Sequence, residues 1–415
     1  MKRAALILLT TLVLCIPLAA QRGAATASKP VQVYVLDTEG GKAALWISPT
    51  GQSLLIDSGN PGARDLDRIM AAVSDAGLRQ IDFLISTHYH VDHIGGMQEL
   101  AKRIPIAHYI DHGPSVEERE QVQGFQAAYA ELYGKAKHTI VKPGDKVPIT
   151  GLDWRIVSAG GNVLKTPLPG GGKSNPACAG VDPKEASATD ENAMSVGSVV
   201  TFGQFRAIDL GDLVWAKEYA LVCPNNSVGT VDVFFVTHHG LDASNSPALV
   251  HGLQPRVAIM QNGTRKGAGA ETMPTLRTSP GLEDIWQLHW SYTAGIEQNS
   301  AGVYIANVDD NATIAGVLTA PPRGGGPGGS RAAAPGGAPA AQPPTAGPAG
   351  QPAPSAQAPP AAGGAPGGGA GRGGPGAAAA AHTPAYWIKL TAQSDGTFTV
   401  TNSRNGFSKT YRKAR

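Results

Sequence analysis

Four side chains that bind metals lie within six residues of one another. His88, His90, Asp92 and His93 sit in the string STHYHVDHIGGM, Ser86 to Met97. Just before it runs Ile81-Asp82-Phe83-Leu84-Ile85, β-branched and aromatic, which has strand composition and stops where the polar residues start. His88 and His90 alternate and so point one way, while Asp92 and His93 turn toward a second position. Imidazole nitrogens and a carboxylate at this density are costly to bury unless a cation pairs with them. They suit one or two borderline divalent ions, zinc first, with Mn2+ or Fe2+ as alternatives. Gly95 and Gly96 close the string, and Met97 to Ile104 reads as a helix.

The elements that would position this chemistry recur along the chain. Val31–Val35, Ala43–Ile47 and Gln52–Asp57 are three β-rich runs separated by turn residues, as in a meander. Ala63–Ala76 has helical spacing and leads into the strand ending at His88, a βαβ-like step. Ile106–Ile110 is a further strand, ending at Asp111-His112-Gly113. Ser115–Tyr133 reads as a charged amphipathic helix and Val147–Ser158 as strand. Ser198–Phe202 and Phe205–Leu210 form a hairpin about Gly203-Gln204 and finish at Gly211-Asp212. Val231–Val236 finishes at Thr237-His238-His239-Gly240, followed by a short helix, Ala248–Leu253, and a strand, Val257–Met260. Four strands thus end at His88, His112, Asp212 and His239, and groups at such strand ends gather on one edge of a layered α/β fold. His289, between Trp286 and Trp290, is expected to be a core or surface histidine.

The HxHxDH string is similar to the signature of the metallo-β-lactamase fold hydrolases. LDTEGGKAAL (Leu36–Leu45), LLIDSG, DLGDL and THHGLDAS resemble the ComEC-type competence-protein branch of that family. The resemblance implies an α/β (α+β) four-layer αββα sandwich with two zinc ions per chain. It assigns His88 and His90 to the first metal, Asp92, His93 and His239 to the second, and Asp212 as the bridge. Asp57 is expected behind the ligands rather than among them. Asp92 would orient a metal-bound hydroxide, and His238 would stand behind the ligands or pass a proton to the leaving group. Most members carry a further first-site histidine, which is absent at the matching place here. His112 and Asn192, the latter in a DENAMS segment resembling the branch's asparagine–serine segment, are the additional candidates. The implied substrate is a small-molecule or polymeric phosphodiester, such as nucleic acid or a phosphorylated polymer. A lactam or lactone hydrolase on the same site, or a non-catalytic metal-binding exported protein, are the alternatives. No G-x-S-x-G elbow, phosphate-binding glycine loop or zinc-finger cysteine spacing competes.

Composition bounds the rest. The 415 residues include 53 Gly and 32 Pro, much of that excess between Ala320 and Ala381, and the formal net charge is +2. Near neutrality gives no electrostatic case for a nucleic-acid partner or an anionic membrane surface. Residues 1–27, with Lys2 and Arg3 before an apolar run and then small residues, read as a signal peptide too short to span comfortably, leaving a secreted or periplasmic chain with no membrane span. Residues 28–319 are expected to form the catalytic domain and 320–383 a disordered insertion. Residues 384–415 are expected to be a hairpin completing the domain, turning at Asp395-Gly396. Cys178 and Cys223 are the two cysteines left after export, an even pair suggesting a disulfide. Gly160–Asp190 reads as a long loop suited to bordering a site.

Overall fold

A computed structural model describes residues 28–185, 188–292, 295–308 and 385–413. The N-terminal apolar run and the Gly/Pro/Ala tract lie outside the described residues.

Two large sheets face each other. The first runs, in spatial order, Ser408–Tyr411, Phe398–Asn402, Ile388–Ala392, Val31–Val35, Ala44–Ile47, Ser53–Ile56, Phe83–Ile85, His108–Asp111 and Lys137–Ile140. The second runs Ile305–Asn307, Asp284–His289, Val257–Met260, Val233–Phe235, Phe205–Asp209, Gly197–Phe202, Asp153–Ala159 and Lys146–Val147, with Asn162–Val163 pairing on Asp153–Ala159. Ile388–Ala392 pairs antiparallel with Val31–Val35, which makes the C-terminal segment integral to the first sheet.

Side-chain alternation along the strands builds the layers. Val31, Val33 and Val35 point between the sheets, with Trp46, Leu54 and Ile56 from the same sheet and Trp154, Ile156, Val200 and Phe235 from the other. Trp46 meets Trp154 edge-on at 5.1 Å between ring centroids, joining the two sheets at mid-core. The intervening residues Tyr34, Leu45, Leu55 and Leu84 face outward, where the helix Ala63–Asp75 covers them with Leu66, Ile69 and Val73. On the far side, Trp215–Val222, Pro247–Leu253 and Thr272–Arg277 cover Ile208, Phe234 and Ala258. Strands buried on both faces read as continuous apolar runs, which explains Phe83-Leu84-Ile85 and Val233-Phe234-Phe235. The result is the four-layer αββα sandwich that the motifs imply.

Most strand bounds shift by a residue or two, Val147–Ser158 divides into Lys146–Val147 and Asp153–Ala159, and three further elements differ. The helix over Ser115–Tyr133 starts only at Glu120, because Ser115 and Val116 bond to the Glu191 carboxylate. Lys137–Ile140 and Ser408–Tyr411 are edge strands of mostly polar residues, of which Tyr411 alone is buried in the core. Cys178 and Cys223 form a disulfide, tying the long loop to the end of the helix Trp215–Val222.

Candidate metal centre

The site forms where strands of both sheets end. From the first sheet, Phe83–Ile85 leads into Ser86–His90, and a short helical turn, Val91–Ile94, carries Asp92 and His93. From the second, Phe205–Asp209 delivers Asp212 and Val233–Phe235 delivers His238 and His239. Gly211, at φ 60°, lets the two loops meet: a Cβ there would stand 2.9 Å from Thr87 Cβ. His238 and His239 both take left-handed backbone (φ 54° and 56°), a conformation that L-residues hold only when their surroundings enforce it. The enforcement is visible. Asn245 accepts from the Thr237 amide and donates to the Thr237 and Leu241 carbonyls. Glu218 in turn accepts the amides of Asn245 and Ser246 at 2.8 and 2.7 Å. Neither residue stood out in the sequence.

Four candidate ligand atoms converge. His93 Nε2 lies 3.2 Å from His239 Nε2, 3.2 Å from Asp212 Oδ2 and 3.6 Å from Asp92 Oδ2. His239 Nε2 lies 3.3 Å from Asp92 Oδ2 and 3.2 Å from Asp212 Oδ2. A tetrahedral ion with nitrogen and oxygen ligands near 2.0–2.1 Å has ligand–ligand edges of about 3.3–3.4 Å, so this group has the dimensions of a zinc shell. Beside it, His88 Nε2 is 3.0 Å from His90 Nδ1 and 3.9 Å from Asp212 Oδ2. Asp212 Oδ2 therefore stands between two groups of imidazoles. Its other oxygen, Oδ1, is buried without a hydrogen-bond partner, as is Asn192 Oδ1. An orphaned carboxylate oxygen on Asp212 beside paired imidazoles is what a cation-binding donor set requires, and the residues fit divalent metal.

Electrostatics agree. Burial resists charge on His93, but the Asp212, Asp57 and Asp92 carboxylates outweigh it and push the imidazole up to about 10. Burial also opposes ionisation of Asp212, yet His239, His93 and His238 hold its carboxyl well below the usual range. The carboxylates thus draw positive charge into the place where a divalent cation would stand. Burial pushes His238 down to about 4 against the pull of Asp212, so its ring is neutral near pH 7. Its Nε2 is 3.4 Å from Asp212 Oδ2, and its Nδ1 meets Ser244 Oγ at 3.1 Å.

A supporting layer aims the candidate ligands. Asp57, fully buried at φ 58°, accepts from Thr87 N (2.8 Å), Thr87 Oγ1 (2.7 Å) and His93 Nδ1 (2.8 Å), which leaves His93 Nε2 facing the site. Glu117 Oε1 stands 3.2 Å from His90 Nε2 in the same way. His239 Nδ1 meets the Gln261 carbonyl. His112 is turned elsewhere: its Nε2 pairs with Glu191 Oε1 at 3.0 Å and its ring lies edge-on to Tyr89. Glu191 also takes the Tyr89 amide, Ser115 Oγ and the Val116 amide, so it fastens three segments behind the site. His289 is a core residue paired with Asp37 at 2.5 Å. Lys266 Nζ, which the sequence did not single out, lies 2.5 Å from Asp92 Oδ2.

Residues 37–174 match the model of the metallo-beta-lactamase superfamily. The chain is 24% identical over 231 residues to competence protein ComA of Neisseria gonorrhoeae and 28% over 189 residues to ComE operon protein 3 of Bacillus subtilis. These alignments cover 56% and 45% of this chain but only 27% and 20% of those proteins. It is also 25% identical over 122 residues to a hydroxyacylglutathione hydrolase of Klebsiella pneumoniae, covering 29% of this chain and 39% of that enzyme. The match begins just past the first strand, at Asp37, and takes in the whole HxHxDH loop, so that residues 37–174 are those of a metallo-β-lactamase domain.

Proposed function

We propose that the chain is an exported, binuclear hydrolase of phosphodiesters. The observation that carries the two-metal reading is Asp212 Oδ2, set 3.2 Å from His93 Nε2 and from His239 Nε2, and 3.9 Å from His88 Nε2. His88, His90 and Asp212 would hold one zinc ion, and Asp92, His93, His239 and Asp212 the other. Asn192 Oδ1, buried without a partner, is the better supported candidate for an additional first-site contact, since His112 is committed to Glu191. Bound metals would acidify water and neutralise charge developing on the substrate. The protein residues supply the rest. Asp92 orients the attacking oxygen, and His238, neutral and held by Ser244, offers a hydrogen bond to the leaving oxygen.

The phosphodiester class rests on the likeness of the motifs to the ComEC-type branch. A second reading, acyl hydrolysis of a lactone, lactam or thioester on the same site, draws on the similarity to the hydroxyacylglutathione hydrolase. Export is supported by the N-terminal composition and by the disulfide, since such bonds persist in oxidising compartments. No described helix is long and apolar enough to cross a membrane.

Elemental analysis of wild type against Asp212→Ala, with turnover of bis-p-nitrophenyl phosphate and a chromogenic cephalosporin, tests both parts. The expectation is two metals per wild-type chain, at least one lost in the variant, and turnover of the diester alone. Unchanged metal content would remove the bridge. Cephalosporin turnover without diester turnover would replace the substrate class.

A further inference from the structure

The four-atom group is closed on three sides and open on one. The side chains of His93, His239 and Asp212 are 0%, 1% and 3% exposed, while Asp92 is 18% and Lys266 33% exposed. Solvent, and therefore substrate, reaches this group across Asp92, and Lys266 stands at that opening. Other cations near these loops are engaged: Lys42 is buried 2.8 Å from Asp209 Oδ1, and Arg68 pairs with Asp37 and Glu39. Among the described residues, the ion-pair partner of Lys266 is Asp92 alone.

The lysine is held by its backbone. Gly263 and Lys266 close a turn in which Gly263 N donates to Lys266 O at 2.9 Å, and Tyr292 N donates to Thr264 O at 2.9 Å. The turn presses on residues 39–41 so closely that a Cβ on Gly263 would meet the Glu39 carbonyl at 2.7 Å. The next residue of that second turn, Lys42, donates its amide to the Asp92 carbonyl at 3.0 Å. The main chains carrying Lys266 and Asp92 are therefore fixed relative to one another, which keeps the ammonium within reach of the opening, while its contact there is the Asp92 carboxylate.

We propose that Lys266 is a substrate-anchoring residue whose ammonium holds a non-bridging anionic oxygen of the phosphodiester beside the Asp92–His93–Asp212–His239 group. An Asp92 carboxylate that gives its charge to a metal leaves the ammonium without a full counter-charge, and an exposed lysine point charge is a general phosphate binder. The inference rests on the proposed phosphodiester chemistry, and its test is read separately from turnover.

Metal-loaded wild type, Lys266→Met and Lys266→Arg are compared for zinc content, for the Kd of inorganic phosphate by calorimetry, and for kcat and KM on bis-p-nitrophenyl phosphate and the neutral ester p-nitrophenyl acetate. Loss of one charged hydrogen bond corresponds to a change of about tenfold to a hundredfold. Phosphate Kd and diester KM are expected to rise by that factor in Lys266→Met, to recover most of it in Lys266→Arg, and to leave zinc content and the neutral ester unchanged. Phosphate Kd within twofold of wild type in Lys266→Met overturns the proposal. So does a fall in zinc content with equal losses on both esters, which would make Lys266 a counter-charge for Asp92. If wild type turns over no diester yet phosphate binding still depends on Lys266, the anchor stands and the diesterase reading falls.

Discussion

On the proposed assignment of His93 to a zinc ion, replacing Asp57 by Asn should weaken that histidine as a ligand while leaving the other proposed ligands in place. Both oxygens of Asp57 act as acceptors, Oδ1 for the Thr87 amide and Oδ2 for Thr87 Oγ1 and His93 Nδ1. An asparagine must put its NH2 at one of these places. Facing the Thr87 amide, it sets donor against donor in a site with no water access. Facing His93, it donates to Nδ1, moves the ring proton to Nε2 and removes the lone pair that points at His239 and Asp212. A charged hydrogen bond of this kind is worth about 1.5–3 kcal/mol, or about tenfold to a hundredfold in an equilibrium constant. Loss of a partner behind a metal-binding histidine costs a similar factor. The measurement is zinc affinity by competition with a chromophoric chelator, using protein shown to be folded by circular dichroism. Thr87→Val, which removes one donor to Asp57 and keeps the carboxylate, serves as control and should weaken zinc less. Zinc affinity in Asp57→Asn within twofold of wild type would refute the argument that Asp57 sets the His93 tautomer.

Two further outcomes follow from residues away from the ligands. Burial pushes the Glu218 carboxyl up to about 7 from 4.5, against the pull of the Ser246 and Asn245 amides, so the folded chain binds a proton there that the unfolded chain releases. Stability from this group is fully present below pH 4.5 and is lost as pH rises through about 7, a change of about 3 kcal/mol. The difference in unfolding free energy between wild type and Glu218→Gln should therefore move by about that amount between pH 4.5 and 8, and a constant difference in denaturant titrations would contradict it. The Cys178–Cys223 bridge closes a separation of 45 residues, so Cys178→Ser should lower unfolding free energy by about 4 kcal/mol, read as a lower guanidinium midpoint; an unmoved midpoint would show that the unfolded chain gains no freedom.

Legibility followed how local each determinant is. His88, His90, Asp92 and His93 share one loop after one strand, and their spacing alone separates two directions. Asp212 and His239 were legible for a related reason, since each follows an apolar strand whose parallel partners end at the same edge. Glu191 and Glu218 were not, because a carboxylate that fastens backbone amides from distant segments has no local pattern. His112 shows the same limit: it ends a strand as the ligands do, but its direction is decided by Glu191, 79 residues away. Lys266 sits in a turn whose sequence, Gly263-Thr264-Arg265-Lys266, marks only a turn. The edge strands Lys137–Ile140 and Ser408–Tyr411 offered no apolar alternation to read, because most of their residues are polar and Tyr411 alone is buried.

The halves of the sandwich contribute unequally to the centre, and the buried charges beneath it show what holds them in register. The first sheet supplies His88, His90, Asp92 and His93, and the second supplies Asp212 and His239. Lys42, next to the first sheet's second strand, reaches across to Asp209 at the end of a second-sheet strand, with both side chains at most 3% exposed. Asp37, two residues past the strand Val31–Val35, meets His289, which ends a strand of the other sheet, and also Arg68. Gln261 donates to the Ala43 carbonyl across the same seam. Apolar packing between the sheets would tolerate small slides, because dispersion contacts carry no direction. A buried ion pair does not, since either partner displaced from the other is left uncompensated in a medium that penalises it by several kcal/mol. Register between the halves is thus set by polar contacts at the strand ends, within a few residues of the ligands, where a small slide would separate Asp212 from His93.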